Sequence, residues 1–438
     1  MPSIAPTIRL IAQESPKAVL VGFSGGMDST VLLHLLANDA TVRACGLRAL
    51  HVHHGLHPDA DVWAEHCQRV CAVLGIACDV VQVTVERGSG LGPEAAARQA
   101  RRKAFAQALY ENESLALAQH RDDQAETFLL RALRASGPDG LASMRPWRRF
   151  AAGWMWRPLL DAPRGVSLDY ARANGLVWIE DPSHADVALD RNFLRHRVLP
   201  LLRERWPQAD AAFARAAALA ADGSDLLGER DPVLLASVRE EIGAALSVTA
   251  LRGLSAAKRA RVLRYWVVTL GWPPLPAEGI VRIDADLLSM ATASSDTDHM
   301  PCFAWHGVEI RRWRDGLHAI ERDRALPLDW SCHWDGHEPL LLPNGDRLVL
   351  HGTARFPTTL LAHARRGGER ILLPDRGGHR HTLKHVLQAL EIAPWDRARM
   401  PLLSAANGLL LAAGDRVHSA GFGHWLESQD ARLEWIRT

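Results

Sequence analysis

No apolar run in this 438-residue chain approaches the ~20 residues that a membrane-crossing helix requires. The opening stretch, MPSIAPTIRLIAQESPK, lacks the apolar core of a secretory signal. The six cysteines (Cys45, Cys67, Cys71, Cys78, Cys302 and Cys332) form no CxxC pair. Cys67 and Cys71, four apart and in line with Trp63, Val70 and Leu74, read as buried apolar fillers rather than metal ligands. Together these absences point to a cytosolic chain with reduced thiols and no structural disulfides. Internal repeats and low-complexity tracts are also lacking. The net charge of +1 neither demands nor excludes a nucleic-acid partner. Nor does the chain contain GxxxxGK[ST], so no P-loop lysine is on hand to reach a γ-phosphate.

What is there is an ordinary globular composition, 47% hydrophobic and 23% charged, long enough for two or three domains. Ala18 to Gly22 reads as a buried strand and Ser24–Gly25–Gly26 as a turn. After Asp28 and Ser29, Val31, Leu32, Leu35 and Leu36 recur at helical spacing. A strand, a glycine turn and a helix start form a seat for phosphate, because backbone N–H groups and the helix dipole aim at one point. Further β–α units follow: strands at 46–54, 77–85 and 114–120, and helices at about 59–74, 93–110 and 122–137. The alternation predicts a parallel, doubly wound sheet with ligands at the C-terminal strand ends. Gly22–Ser29 and His120–Glu126 both lie at such ends.

The second cluster is HRDDQAET, with His120, Asp122, Asp123, Glu126 and Thr127. Adjacent carboxylates at a strand end, with Glu126 one turn on, suit Mg2+ shared with phosphate oxygens. The alternative is that they only complement the helix dipole. Asp28 at another end of the same sheet favours metal–nucleotide chemistry, with Asp28, Asp122 and Asp123 as candidate ligands. HVHHGLH (His51, His53, His54, His57) resembles a zinc site in composition, but without accompanying cysteines it reads better as a loop bordering the nucleotide. Arginines crowd 98–103, 145–150, 191–206, 365–370 and 375–381. Each cluster alone is explained by a solvated helix face; jointly they favour a polyanionic substrate.

Composition places domain boundaries near 207, where Ala-rich helix begins, and around 325–355. The expected layout is an α/β domain over 1–206, a mainly helical middle domain over 207–325, and a small α+β domain over 355–438. Trp395, beside a proline turn in APWDR, reads as core.

These motifs carry a family resemblance. SGGMDS at 24–29 resembles the pyrophosphate loop of the ATP pyrophosphatase (PP-loop) superfamily. HHGLHPDADVWAEHC, GPEAAARQARR, DDQAETFLLRALRASGPDGLASMRP and IEDPSHADVALDRNFLRHRVLPLL together resemble the tRNA(Ile)-lysidine synthase family, as does the C-terminal GGHRHTLKHVLQALEIAPWDRARMPLL. The matches run in family order and are weakest over about 207–355. Gln119 stands where the family more often has His, Arg102 where Tyr is common, and His184 where Asn is usual.

The resemblance implies a ligase that cleaves ATP between the α- and β-phosphates. It would join free lysine to C2 of the wobble cytidine of a CAU-anticodon tRNA(Ile), through an adenylated cytidine. It implies that Ser24, Gly25, Gly26, Met27, Asp28 and Ser29 hold pyrophosphate, and that Asp28 with Asp122 or Asp123 positions Mg2+. Glu126 and the same acidic patch would attract the cationic lysine. Arg101 would stabilise phosphate charge in the transition state. The middle domain over 207–325 would bind the substrate tRNA. Arg98, Arg191, Asn192, Arg195 and Arg197 would contact tRNA near the anticodon, and Arg380, Lys384 and Arg397 its far end. No membrane or protein partner is implied, and a homodimer is left open. A tRNA thiolase of the same superfamily is the rival enzyme, but it needs catalytic or cluster-binding cysteines; a non-catalytic ATP- or RNA-binding protein would leave Asp28 and DDQAET unused together.

Overall fold

The first strand of the chain, β1 (Val19–Gly22), is buried on both sides. Val19 and Val21 face one core cluster and Leu20 the other. Such a continuous apolar run belongs in the middle of a parallel sheet covered on both faces. In the computed structural model, which describes residues 18–85, 93–182, 186–240, 244–289, 301–322, 324–352, 355–374 and 379–437, β1 is central.

Beside β1 run β2 (Leu47–His53) and β3 (Ala77–Gln82) on one side, and β4 (Ser114–Ala116) on the other. A hairpin of β5 (Trp147–Phe150) and β6 (Gly153–Trp156) completes the order β3-β2-β1-β4-β6-β5. Every pairing is parallel except β5 with β6. Helix α1 (Met27–Ala37) is apolar nearly all round and shares one core with Cys67 and Cys71 of the helix Ala60–Leu74. The opposite face is covered by Ala104 and Phe105 of the helix Pro93–Ala108. The doubly wound reading therefore holds, with the β5–β6 hairpin added where the sequence shows only an arginine cluster.

The order of strands reverses between β1 and β4. At such a switch point the loops leaving the two strands part toward opposite faces and open a crevice for ligand. Phe23–Gly26 leaves β1 there, and 117–120 leaves β4 to enter the helix Arg121–Leu133.

Two compact units divide the chain, Met1–Glu229 and Arg230–Thr438. The helix Ala209–Gly228, which the composition shift at 207 assigns to the next domain, packs within the first unit. Phe213 stacks on Phe128 with ring centroids 5.8 Å apart, and Asp225 accepts two hydrogen bonds from Arg145, each 2.9 Å. In the second unit, the helix Ala256–Thr269 places the buried Trp266 in a core shared with Ile280 of the helix Ala277–Arg282. The strands Leu246–Ser247, Gly316–Glu321, Val308–Trp313 and Cys302–Trp305 form an antiparallel sheet against them. The middle region is thus mainly helical up to 288, apart from the short strand Leu246–Ser247, and sheet beyond 301. The C-terminal part combines a mixed sheet with helices Leu383–Ala389, Pro394–Arg399 and Ala420–Ser428 around a core of its own. Among the described residues no helix is long and apolar enough to cross a membrane.

Candidate active site

Gly25 has φ +80°, a conformation that costs a side-chain-bearing residue ~1–2 kcal/mol. Its carbonyl accepts a hydrogen bond from the Ile179 backbone N–H at 2.9 Å, latching the loop to the IEDPS segment. A Cβ at this position would lie 2.6 Å from Ile179 Cδ1 and 3.0 Å from Cys67 Sγ. The loop is tightened further by Ser24, whose hydroxyl lies 3.1 Å from that of Ser29, and by Ser29, which donates to the Gly26 carbonyl at 2.9 Å. We expect Gly25→Ala to weaken ATP binding at least tenfold while the chain stays folded; titration calorimetry with ATP checks this, and unchanged affinity would detach the loop from nucleotide binding.

Met27 and Asp28 open α1, so Asp28 projects into the crevice between β1 and β4. The nearest basic side-chain nitrogens are His120 Nε2 at 3.7 Å and Arg164 Nε at 3.6 Å, beyond hydrogen-bond reach. Oδ1 is buried with no hydrogen-bond partner among the described residues. Burial pushes the Asp28 pKa above its usual value despite the pull of His120 and Arg164.

Asp123 and Glu126 are placed differently from Asp28. His120 caps the helix Arg121–Leu133: its ring accepts from the Asp123 N–H, and Asp123 accepts from the His120 N–H at 3.0 Å. Arg191 donates to Glu126 at 2.7 Å and to Asp123 at 2.8 Å; Arg195 donates to the same pair at 2.6 and 3.0 Å. Glu126 is 0% exposed. The two arginines lie one turn apart where Asp190–Phe193 runs into the π-helical turn Leu194–Val198, a widening that recurs at functional sites. Burial opposes the Asp123 charge, but His120, Arg191 and Arg195 outweigh it and hold the carboxyl below its usual pKa. Asp122 accepts from the Arg164 N–H at 3.1 Å and from Arg203 at 2.9 Å.

Several of the expected roles change on this geometry. Asp28 keeps an oxygen for a metal; Asp122 and Asp123 have theirs engaged by protein donors. Glu126 accepts from two guanidinium groups, which favours a positioning role over direct contact with a lysine ammonium. Arg191 and Arg195 point inward to carboxylates rather than out to a phosphate backbone. Asn192 is buried and donates to the Asp186 carbonyl at 2.8 Å, and Arg397 is buried and donates to the Ile392 carbonyl at 2.7 Å. Arg98, Arg101, Arg197, Arg380 and Lys384 are exposed. His120, Arg164 and Arg203 join the site; His120 had a local signal as the residue opening HRDDQAET and Arg203 as a member of the 191–206 arginine cluster, whereas Arg164 had none. Among the three departures from the family pattern, Gln119 accepts from Arg157 at 2.8 Å, Arg102 lies 5.0 Å over the Phe150 ring, and His184 is outside the described residues.

The histidine run does not gather at one point. His51 lies 3.0 Å from the Phe23 carbonyl and 3.3 Å from Cys67 Sγ, beneath the loop, while His53 pairs with Asp61 at 3.0 Å. Burial first, then Arg101, lowers the His54 pKa to about 4. Among the described residues no group of three or more His, Cys, Asp or Glu is placed to hold a metal. Cys67 and Cys71 are fully buried, and burial pushes the Cys67 thiol up to about 12, which removes it as a nucleophile at neutral pH.

The PP-loop domain family matches residues 3–202, the TilS substrate binding domain 246–318, and the TilS substrate C-terminal domain 361–435. A tRNA(Ile)-lysidine synthase of Xanthomonas axonopodis pv. citri (strain 306) is 53% identical over 437 residues, covering 99% of this chain and 98% of that protein. Its counterpart in Xylella fastidiosa (strain 9a5c) is 50% identical, covering 95% and 94%. Among solved structures, the U34-tRNA thiolase NcsA from Methanococcus maripaludis aligns with 49% of this chain and 77% of its own, at 18% identity and a TM-score of 0.41. Identity at this level from end to end, with three family domains in sequence order, means that the chain belongs to the tRNA(Ile)-lysidine synthase family.

Proposed function

We propose that the chain joins free L-lysine to C2 of the wobble cytidine, C34, of a CAU-anticodon tRNA(Ile), so that the tRNA reads AUA as isoleucine. The observation that carries this reading is the near-complete alignment with synthases of that name. Cytosine O2 attacks the α-phosphorus of ATP and the α–β bridging bond breaks, releasing pyrophosphate and leaving O2 adenylated. The lysine ε-amine then attacks C2, AMP departs with the oxygen, and the amine loses a proton. A poor leaving group has been exchanged for a good one.

The loop from Ser24 to Ser29 is assigned to the leaving pyrophosphate, in front of the N-terminus of the eleven-residue α1. Asp28 is the residue whose spare oxygen fits a Mg2+ shared with phosphate oxygens, an arrangement Mg2+ accepts with a single carboxylate. When bound, that ion neutralises charge growing on the phosphates. Arg101 is assigned to the same charge from the helix Pro93–Ala108. Asp123 and Glu126 act by positioning, fixing Arg191 and Arg195 and hence the segment Asp190–Val198 beside the crevice. Arg98 and Arg197 remain assigned to tRNA near the anticodon, and Arg380 and Lys384 to its far end.

With labelled lysine, ATP and total tRNA, label is expected in the tRNA, with AMP and pyrophosphate in equal amounts and dependent on both lysine and tRNA. ADP and orthophosphate in their place would overturn the reaction class.

A further inference from the structure

Within the second unit lies a cavity of about 190 Å3 that the chemistry above does not use. Its walls are rings. Trp395 stands 5.1 Å from His318 and 6.2 Å from Trp313, centroid to centroid, and all three are only half-buried. Its floor is the buried pair Met400 and Trp435. Arg416 and Arg437, both exposed, line its mouth. The walls come from both family-matched parts of the unit: Trp313 and His318 from the hairpin Val308–Trp313 and Gly316–Glu321, and Trp395 from the helix Pro394–Arg399. The core role expected for Trp395 therefore describes only part of its surface.

The charges around the rings decide what the cavity suits. Aromatic walls with acidic neighbours can cage a cation, and Asp396 and Glu391 are lining residues. But Glu391 is already paired with Arg314. Burial raises the Asp396 pKa, against the attraction of Arg437, Arg399 and Arg416, so this carboxyl lies among three guanidinium groups. A cation would meet a positive rim. A flat, uncharged ring system attached to phosphates meets stacking faces inside and guanidinium groups outside, the arrangement used for unpaired nucleotides. Burial also lowers the His318 pKa to about 4, so its ring is uncharged at neutral pH.

We propose that this cavity receives one unpaired base of the tRNA, stacked on the face of Trp395 with the His318 ring, tilted 55° to it, against the base edge, and with Arg416 and Arg437 against its flanking phosphates. The inference rests on the tRNA reading above and adds a base-stacking site remote in sequence from the ATP loop.

The test compares full-length wild type with Trp395→Leu, Trp395→Phe and Arg416→Gln, measuring tRNA dissociation constants across a salt series and, separately, ATP affinity. Trp395→Leu is expected to bind tRNA roughly 10- to 100-fold more weakly, the range of one lost base–aromatic stack, with ATP affinity unchanged. Trp395→Phe keeps a stacking face and is expected to stay within about threefold of wild type. Arg416→Gln, on an exposed residue that does not hold the fold, is expected to lower the salt slope by about one. Trimming the single-stranded 3′ nucleotides from the tRNA assigns the base: if wild type and Trp395→Leu then bind alike, it comes from that end, and if the gap persists, from a loop. Equal tRNA binding by wild type and a folded Trp395→Leu protein overturns the inference alone, as does an unchanged salt slope in Arg416→Gln. Failure of the wild type to bind tRNA at all overturns the tRNA reading, and this inference with it.

Discussion

Asp28→Asn is expected to lower lysine incorporation into tRNA about a thousandfold, equivalent to ~4 kcal/mol of transition-state stabilisation, without lowering the melting temperature. The two halves of that expectation come from the same geometry. Asp28 is 24% exposed in its side chain, and its Oδ1 is buried without a hydrogen-bond donor among the described residues. Its carboxylate therefore gains little from the folded protein and loses solvent. Burial raises its pKa above 3.8, so above that raised value the ionised carboxylate disfavours the folded state relative to the unfolded one. An asparagine removes this cost at neutral pH. What it also removes is the anionic oxygen offered to a metal on the phosphates. Label incorporation and a thermal melt at pH 7 check both halves. Near-normal turnover in a folded variant would take Asp28 out of the chemistry, whereas a large drop in melting temperature would make it structural.

Glu126→Gln should do the opposite, with instability as its first effect. Glu126 is 0% exposed and accepts from Arg191 at 2.7 Å and from Arg195 at 2.6 Å. Removing that charge leaves two part-buried guanidinium groups to the single carboxylate of Asp123, and breaking a buried ionic network in this way costs ~3–5 kcal/mol. A urea titration is expected to show that loss, and limited proteolysis an earlier opening of the segment around Asp190–Val198. Acid should act on the same clamp through Asp123. Its pKa is held below 3.8, so its contribution is complete above that unfolded value and disappears as the pH falls through the lower folded one. A Glu126→Gln protein as stable as wild type would mean that Asp123 alone anchors the two arginines.

The contrast between these two acids was not legible in the sequence. Periodicity and glycine placement gave the strands, the helices and the seat at Ser24–Ser29, because those signals are local. Asp28, Asp122, Asp123 and Glu126 looked interchangeable as carboxylates at strand ends. Which of them keeps a spare oxygen depends on guanidinium groups that arrive from Arg191, Arg195 and Arg203, far along the chain. An arginine that binds phosphate and one that neutralises a buried acid have the same local surroundings in sequence, so RNFLRHRV read as an outward basic strip. Arg397 misled for the same reason: its helix turn conceals that its Nε is spent on the Ile392 carbonyl. The hairpin at 147–156 was hidden by its arginines, whose aliphatic stems and ring contacts suit a sheet edge, as Arg149 over Trp154 illustrates.

The helix Ala209–Gly228 bears on how the chain can be divided. Anyone wishing to isolate the nucleotide-handling half would be drawn by composition to cut near residue 207. That cut would strip Phe213 from Phe128, leave Arg145 without Asp225, and take Asp210 from Arg203, which also reaches Asp122 beside the crevice. The helix is a splint bound along the back of the segment that begins at His120. A self-sufficient fragment has to carry that splint and end beyond Gly228, so the shortest autonomous version of the site is longer than its own chemistry suggests.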